Sequence, residues 1–404
     1  MTRDDARALD RTDPLARHRD AFALPDGVIY LDGNSLGPLP RAVPPALEDT
    51  VQRQWGERLI RSWNEGWIDA PQRLGAAIAP LIGAGPQEVI VGDTTSTHLF
   101  KAIVAALRRD PARRTVVSEA GNFPTDLHIA EGAVGCVSGA RLKVVARDAL
   151  AEALDDDTAL LLLTHVHYKS AERFDLAEWT ARAHAAGALT LWDFSHSVGA
   201  VPIDVAAAGV DLAVGCTYKY INGGPGAPAF LYVAERWQAA LANPVSGWMG
   251  HAEPFAFEDG YRPAAGMRRW LVGTPSILAM ASLEAALAIW TDVDQTALAA
   301  KSAALFAILA DAGAAAGLPC ITPTDPAARG SHISFRHPQA YAVTQALIAR
   351  GVIGDFRAPD VLRLGLTPLY LSYEDVWQAG ELLRAVIADA AWRDPAYATR
   401  LAVT

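Results

Sequence analysis

Only three cysteines occur in 404 residues, Cys136, Cys216 and Cys320. They are odd in number and far apart, so neither a disulfide framework nor a four-ligand zinc site is expected, and each reads as a small hydrophobe. No His-x-x-x-His pair lies in a helical pattern beside an acid, which leaves metal catalysis without a signal. No run approaches the roughly 18 apolar residues of a membrane-spanning helix, and the charged stretch 1–7 lacks the apolar core of a secretory signal. A cytoplasmic location is the expectation. The net charge is −10, but the acids are scattered and not blocked, which argues against nucleic acid or an anionic membrane as a partner. There is no internal repeat and no low-complexity segment beyond alanine-rich stretches such as 303–316. Lysine is scarce too, with five against thirty arginines.

What is present is enough apolar sequence, 51%, for one large and one smaller core. The apolar runs Glu88–Val91, Thr115–Ser118, Leu142–Val145, Leu160–His165, Leu189–Asp193, Asp211–Cys216 and Ala229–Val233 alternate with amphipathic helical patterns. That alternation predicts an α/β fold with a mostly parallel seven-stranded sheet covered on both faces. Ile277–Trp290 reads as a long helix. Beyond it, 296–400 reads helix, strand His332–Phe335, helix, strands Val352–Phe356 and Val361–Leu364, helix, which makes a smaller α+β domain. The expected division is an amino-terminal arm over 1–30, lying across another surface, a large domain over 31–290 and a small one over 291–404.

Lys219 follows the apolar run Val210–Val214 and lies between Tyr218 and Tyr220, ahead of the turn Asn222-Gly223-Gly224-Pro225-Gly226. An amine at the exit of a buried strand is placed to be partly desolvated and to serve as a nucleophile or base, such as the Schiff-base lysine of pyridoxal phosphate. The segment alone suits equally a surface lysine snorkelling beside aromatics. Upstream, Leu189–Asp193 ends in an acid followed by Ser195, His196 and Ser197. In open α/β sheets ligands bind at such strand ends, and a buried carboxylate keeps a pyridine nitrogen protonated. Together Asp193 and Lys219 favour the cofactor reading. Gly92–Thr97 precedes the helical pattern Leu99–Leu107, and a helix start offers free amides to an anion, so Thr95 and Ser96 are the expected phosphate ligands. Phe123, after the strand Thr115–Ser118, suits a ring that lies flat on the cofactor and suits core packing as well.

These segments together resemble the kynureninases, within the pyridoxal-phosphate enzymes of aspartate aminotransferase-like fold, fold type I. The resemblance is carried by Leu31-Asp32-Gly33-Asn34-Ser35-Leu36-Gly37, Asn122-Phe123-Pro124-Thr125-Asp126, Trp192-Asp193-Phe194-Ser195-His196, Tyr218-Lys219-Tyr220-Ile221-Asn222-Gly223-Gly224-Pro225-Gly226, Gly247-Trp248-Met249-Gly250-His251 and Gly273-Thr274-Pro275-Ser276. It spans about residues 30 to 370. It implies hydrolysis of L-kynurenine to anthranilate and L-alanine in tryptophan catabolism or NAD biosynthesis, by a homodimer with active sites at the interface. It further implies that Lys219 forms the Schiff base with pyridoxal 5′-phosphate, Asp193 holds the pyridinium nitrogen with Asp126 close by, Phe123 stacks on the ring and His196 approaches its face or phenolic oxygen. Thr95, Ser96, Tyr218, Trp248 and Thr274 surround the phosphate, the last two reaching across the dimer, and Thr164 is a weaker match. Arg363 grips the substrate carboxylate, although a surface ion pair would also explain an arginine there. Tyr218 is the candidate proton shuttle at the substrate carbonyl. Trp63, Trp67, His98, Tyr220 and Ser35 are candidates for the aryl pocket, where packing explains each aromatic equally well. Gly273-Thr274 hints at plain kynurenine over the 3-hydroxy form.

Two rivals have their own requirements. A cysteine desulfurase or selenocysteine lyase of the same fold needs a nucleophilic cysteine, and Cys320, between proline and isoleucine, reads as an inert buried thiol. A non-catalytic scaffold would have no use for the lysine, the aspartate and the phosphate helix together.

Overall fold

The computed structural model describes residues 1–397 and 399–400; residues 398 and 401–404, within the expected small domain, lie outside the described residues. Among the described residues twelve strands occur in chain order: β1 Ile29–Tyr30, β2 Val89–Val91, β3 Thr115–Glu119, β4 Arg141–Val145, β5 Thr158–Thr164, β6 Leu189–Asp193, β7 Leu212–Gly215, β8 Phe230–Val233, β9 His332–Arg336, β10 Val352–Ile353, β11 Asp355–Arg357 and β12 Val361–Gly365. Seven of them form the main sheet in the order β2-β8-β7-β6-β5-β3-β4. Every pairing is parallel except those of β8, which runs antiparallel to both neighbours. The reversal follows from the link: 216–229 contains no helix to carry the chain back across the sheet, which a parallel return requires.

All seven residues of β5 are buried, and successive side chains serve opposite faces. Leu160 and Leu162 join Leu99, Ile103 and Leu191 in one apolar core, while Leu161 and Leu163 join Trp192, Phe230 and Leu283 in the other. The edge strand β4 carries its charges outward, with Arg141 paired to Asp157 at 2.6 Å and Lys143 donating to the Ala153 carbonyl at 2.9 Å. Charged side chains of this kind stop an open edge from pairing with another chain.

The carboxy-terminal part is built on an antiparallel sheet, β11-β12-β9, and a two-stranded parallel sheet, β1-β10. The stretch Val352–Phe356, expected as one strand, is split at Gly354, because there the chain leaves β1 and joins β12. A Cβ at Gly354 would stand 2.4 Å from Leu364 Cδ2, so glycine lets the two strands close. The amino-terminal arm packs on this region. Asp10 accepts from the amides of Tyr373 (2.7 Å) and Glu374 (3.0 Å) at the start of the helix Tyr373–Ala388, and Arg3 and Arg7 both pair with Glu374.

One described helix, Gln295–Ala315, is long and apolar enough to cross a membrane by length and composition, although it holds no unbroken apolar run of that length. Alanines supply its hydropathy although Lys301, Ser302 and Asp311 interrupt every apolar run. Half of that apolar window is buried against the rest of the protein, and Lys301 is held there by Asp13 (2.6 Å) and the Pro368 carbonyl (2.6 Å).

Candidate active site

Thr164, Asp193 and Gly215 end three neighbouring parallel strands, with Thr164 and Asp193 directly opposite each other. The Ser195 amide donates to Asp193 Oδ1 at 2.6 Å, and Ser195 Oγ accepts the Cys216 amide at 3.1 Å, which ties the exit of β6 to that of β7. Three residues on, Lys219 is buried and its Nζ lies 2.9 Å from His196 Nε2. The same Nζ is 5.8 Å from the Phe123 ring centroid and 5.9 Å from that of Tyr218. The amine, the acid, the imidazole and two aromatic rings therefore gather beyond the ends of β6 and β7.

Asp126 projects into this place from the helix Pro124–Val134 and, like Asp193, is almost fully buried. Burial, then the charge of Asp193, raises the Asp126 pKa well above the carboxylate range. Burial also raises that of Asp193, but the Ser195 contacts and the Lys219 charge oppose it. Burial thus disfavours a charge on both acids, and on Asp126 the charge of Asp193 adds to it. Thr164 Oγ1 donates to Asp126 Oδ2 at 3.0 Å and also lies against Asn122 Oδ1, so Thr164 touches the second acid and not Asp193. Burial, followed by the charge of Lys219, pushes the His196 pKa far down and keeps the ring neutral. With Nε2 facing the lysine, Nδ1 is buried and has no partner among the described residues. Burial raises the Tyr218 pKa, so its phenol keeps its proton.

The helix Thr95–Arg109 starts beside β2, its cap Thr94 accepting the Thr97 amide at 3.2 Å. Thr95 and Ser96 are half-buried at the first turn, where amides lack intrahelical acceptors. Lys101 of this helix is buried against Asp93 (2.7 Å) and the Trp270 carbonyl (2.7 Å). His98 is turned inward, with Nε2 at 2.6 Å from the Gly92 carbonyl. Trp63 meets Trp67 edge to face at 5.7 Å, and Trp67 donates to Gln54 Oε1. Trp248 and Thr274 are exposed, and no contact of either with the Lys219 group occurs among the described residues.

The small sheet has two unlike faces. Leu362, Leu364, Ile333 and Phe335 point into the apolar core, whereas Asp355, Arg357, Arg363, Ser334 and His332 share the other face by register. Sequence reading missed Asp355, Arg357 and His332; the alternation Asp355-x-Arg357 and His332-x-Ser334 was the available signal. Arg363 is not the free fork expected for a substrate carboxylate. Its Nε donates to Asp355 Oδ1 at 2.8 Å, Nη2 to Asp355 Oδ2 and to Ser35 Oγ (2.7 Å), and Nη1 to the Tyr168 carbonyl (2.5 Å). Burial works against the Asp355 charge, but Arg363 and Arg357 prevail and hold its pKa low. Asp32, nearby, is raised to about 7 by burial and by Asp355. Tyr220 is buried and donates to the Ser331 carbonyl at 2.9 Å. Arg363→Ala is expected to destabilise the fold by roughly 3–5 kcal/mol in chemical denaturation, because Asp355 stays buried with half its pairing gone. A loss below about 1 kcal/mol would mean that Arg357 alone satisfies the acid.

Cys320, expected to be buried, is exposed, because it lies on a lone bridge beside β9 and not within the sheet. Its thiol donates to the Thr322 carbonyl at 3.5 Å, and partial desolvation of the sulfur raises its pKa. Cys136 is exposed as well, whereas Cys216 is buried.

Among solved structures, an apo cysteine desulfurase from Thermococcus onnurineus NA1 superposes with a TM-score of 0.78 at 17% identity, covering 93% of this chain and 98% of that one. A cysteine desulfurase from Escherichia coli gives 0.76 at 20% identity, covering 93% and 98%. At such identities the likeness establishes the fold, a pyridoxal-phosphate enzyme architecture of type I, and nothing finer. The family model "Kynureninase C-terminal domain" matches residues 298–383. Curated proteins named kynureninase match end to end, one from Burkholderia mallei (strain SAVP1) at 49% identity and one from Pseudomonas fluorescens at 47%, each over 100% of both chains. Identity of that degree along the whole length, over a site with the geometry described above, means that this chain belongs to the kynureninase family.

Proposed function

We propose that this chain hydrolyses L-kynurenine to anthranilate and L-alanine, using pyridoxal 5′-phosphate held between Lys219 and Asp193. The observation that carries the reading is the convergence of a buried amine, two buried acids and a buried imidazole at the ends of β6 and β7. The residues fit a phosphorylated pyridine: Asp193 offers a charge to a ring N–H, the orphaned Nδ1 of His196 offers a donor to an oxygen, and the first turn at Thr95 and Ser96 offers amides to a phosphate. When bound, the cofactor supplies an electron sink for charge developed on the substrate's Cα and Cβ.

The side chains then have separate tasks. Lys219 holds the cofactor between turnovers and moves the proton at Cα. Asp193 keeps the ring nitrogen charged, while Asp126, held by Thr164, orients Asp193. Phe123 covers the ring face. Tyr218, still protonated, serves the γ-carbonyl oxygen as proton donor. Water adds to that carbonyl and the Cβ–Cγ bond breaks; the water oxygen leaves in the anthranilate carboxylate and Cβ takes a proton to complete alanine. Arg363, set by Asp355 and Ser35, anchors the α-carboxylate. Trp248 and Thr274, exposed on one chain, serve the phosphate of a second copy in a homodimer. The setting is cytoplasmic tryptophan breakdown.

Mixing the purified protein with L-kynurenine should release anthranilate, read by its fluorescence, with slower release of 3-hydroxyanthranilate from the 3-hydroxy form. No fluorescence, with sulfide released from cysteine instead, would replace this reading by the desulfurase one.

A further inference from the structure

His332 has no solvent exposure, and neither of its ring nitrogens has a hydrogen-bond partner among the described residues. A buried polar group left in that state is destabilising, and a native fold keeps it where something else binds. The ring is flanked by the two ends of the site. It meets His196 edge to face at 5.8 Å, and His196 touches Lys219. On its own sheet His332 lies opposite Gly365, two residues from Arg363 and on the same face. The absence of a Cβ at Gly365 leaves that rung to Asn34, whose Oδ1 would stand 2.1 Å from one and whose own polar atoms are buried without partners.

Four of the five guanidinium N–H groups of Arg363 are committed, two to Asp355, one to Ser35 and one to the Tyr168 carbonyl. One remains, whereas a carboxylate presents two oxygens. Resting on the reading of this cavity as a kynurenine site, we propose that His332 is the second donor to the substrate's α-carboxylate, completing what Arg363 alone cannot supply. Burial first, then the charges of Arg363, Lys219 and Arg357, disfavours a charge on the imidazole, which then offers one N–H.

The test compares the holoenzyme with His332→Phe and His332→Gln by calorimetric titration of L-alanine and of L-alaninamide, which lacks the carboxylate charge. His332→Phe should weaken L-alanine about ten- to a hundredfold, the scale of a hydrogen bond to a charged group, and leave L-alaninamide unchanged. Its melting temperature should not fall, since two unpaired polar atoms are gone. His332→Gln should recover most of the L-alanine affinity, and KM for L-kynurenine should follow the same order with kcat changing less. Equal L-alanine affinity in all three proteins, or a melting-temperature loss with affinity intact, overturns the inference and assigns His332 to a buried water. Failure of the unmodified protein to bind L-alanine or turn over L-kynurenine overturns the functional reading, and the inference with it.

Discussion

Lys219→Ala will abolish anthranilate release, by at least roughly 10³-fold, in a protein that still folds and still takes up the cofactor without a covalent bond. The side chain is buried at the meeting of Asp193, Asp126 and His196, and among the described residues it is the lysine in contact with His196. No neighbouring group can replace it: His196 is held neutral, and Tyr218 is held protonated, both by burial first. The measurement is anthranilate fluorescence together with borohydride reduction, which should leave a permanent adduct in the unmodified protein and none in the variant. Turnover within tenfold of the unmodified protein would remove the lysine from its role.

The second large effect separates two acids that look alike. Asp193→Asn should lower kcat/KM by on the order of 10²–10³, since the ring nitrogen loses the charge that keeps it protonated. Asp126→Asn should stay within roughly threefold, because burial and the neighbouring Asp193 already disfavour a charge there and a neutral amide resembles a protonated acid in shape and charge. Equal losses in the two variants would mean that Asp126 acts through its charge.

The seven runs marked in the sequence all became strands, and Leu189–Asp193 kept both its ends, because a strand buried on both faces needs an unbroken apolar run and shows it. Asp193 and Lys219 were visible for a related reason: in this architecture ligands meet the strand ends. The partners of Arg363 were not visible. Asp355 and Ser35 reach it from 8 and 328 positions away, and only the register of β11 against β12 brings Asp355 across from it. Nor does the helical pattern Leu99–Leu107 disclose that Lys101 is buried against Asp93, which precedes the helix. The outward placement of Trp248 and Thr274 was expected only through the family resemblance, since a residue facing solvent in one chain and one facing a second copy have the same sequence signature.

The β1-β10 pairing joins residues more than 300 positions apart, Ile29 with Val352, and Asp10 at the head of the chain caps a helix that begins at Tyr373. On the ribosome the arm emerges well before the surface on which it docks. The large sheet, whose strands lie between residues 89 and 233, can close while the arm still dangles. Closure of the β1-β10 pair therefore waits on β10 and carries the entropy cost of a loop of more than 300 residues, during which the unpaired edge of β1 is open to neighbouring chains.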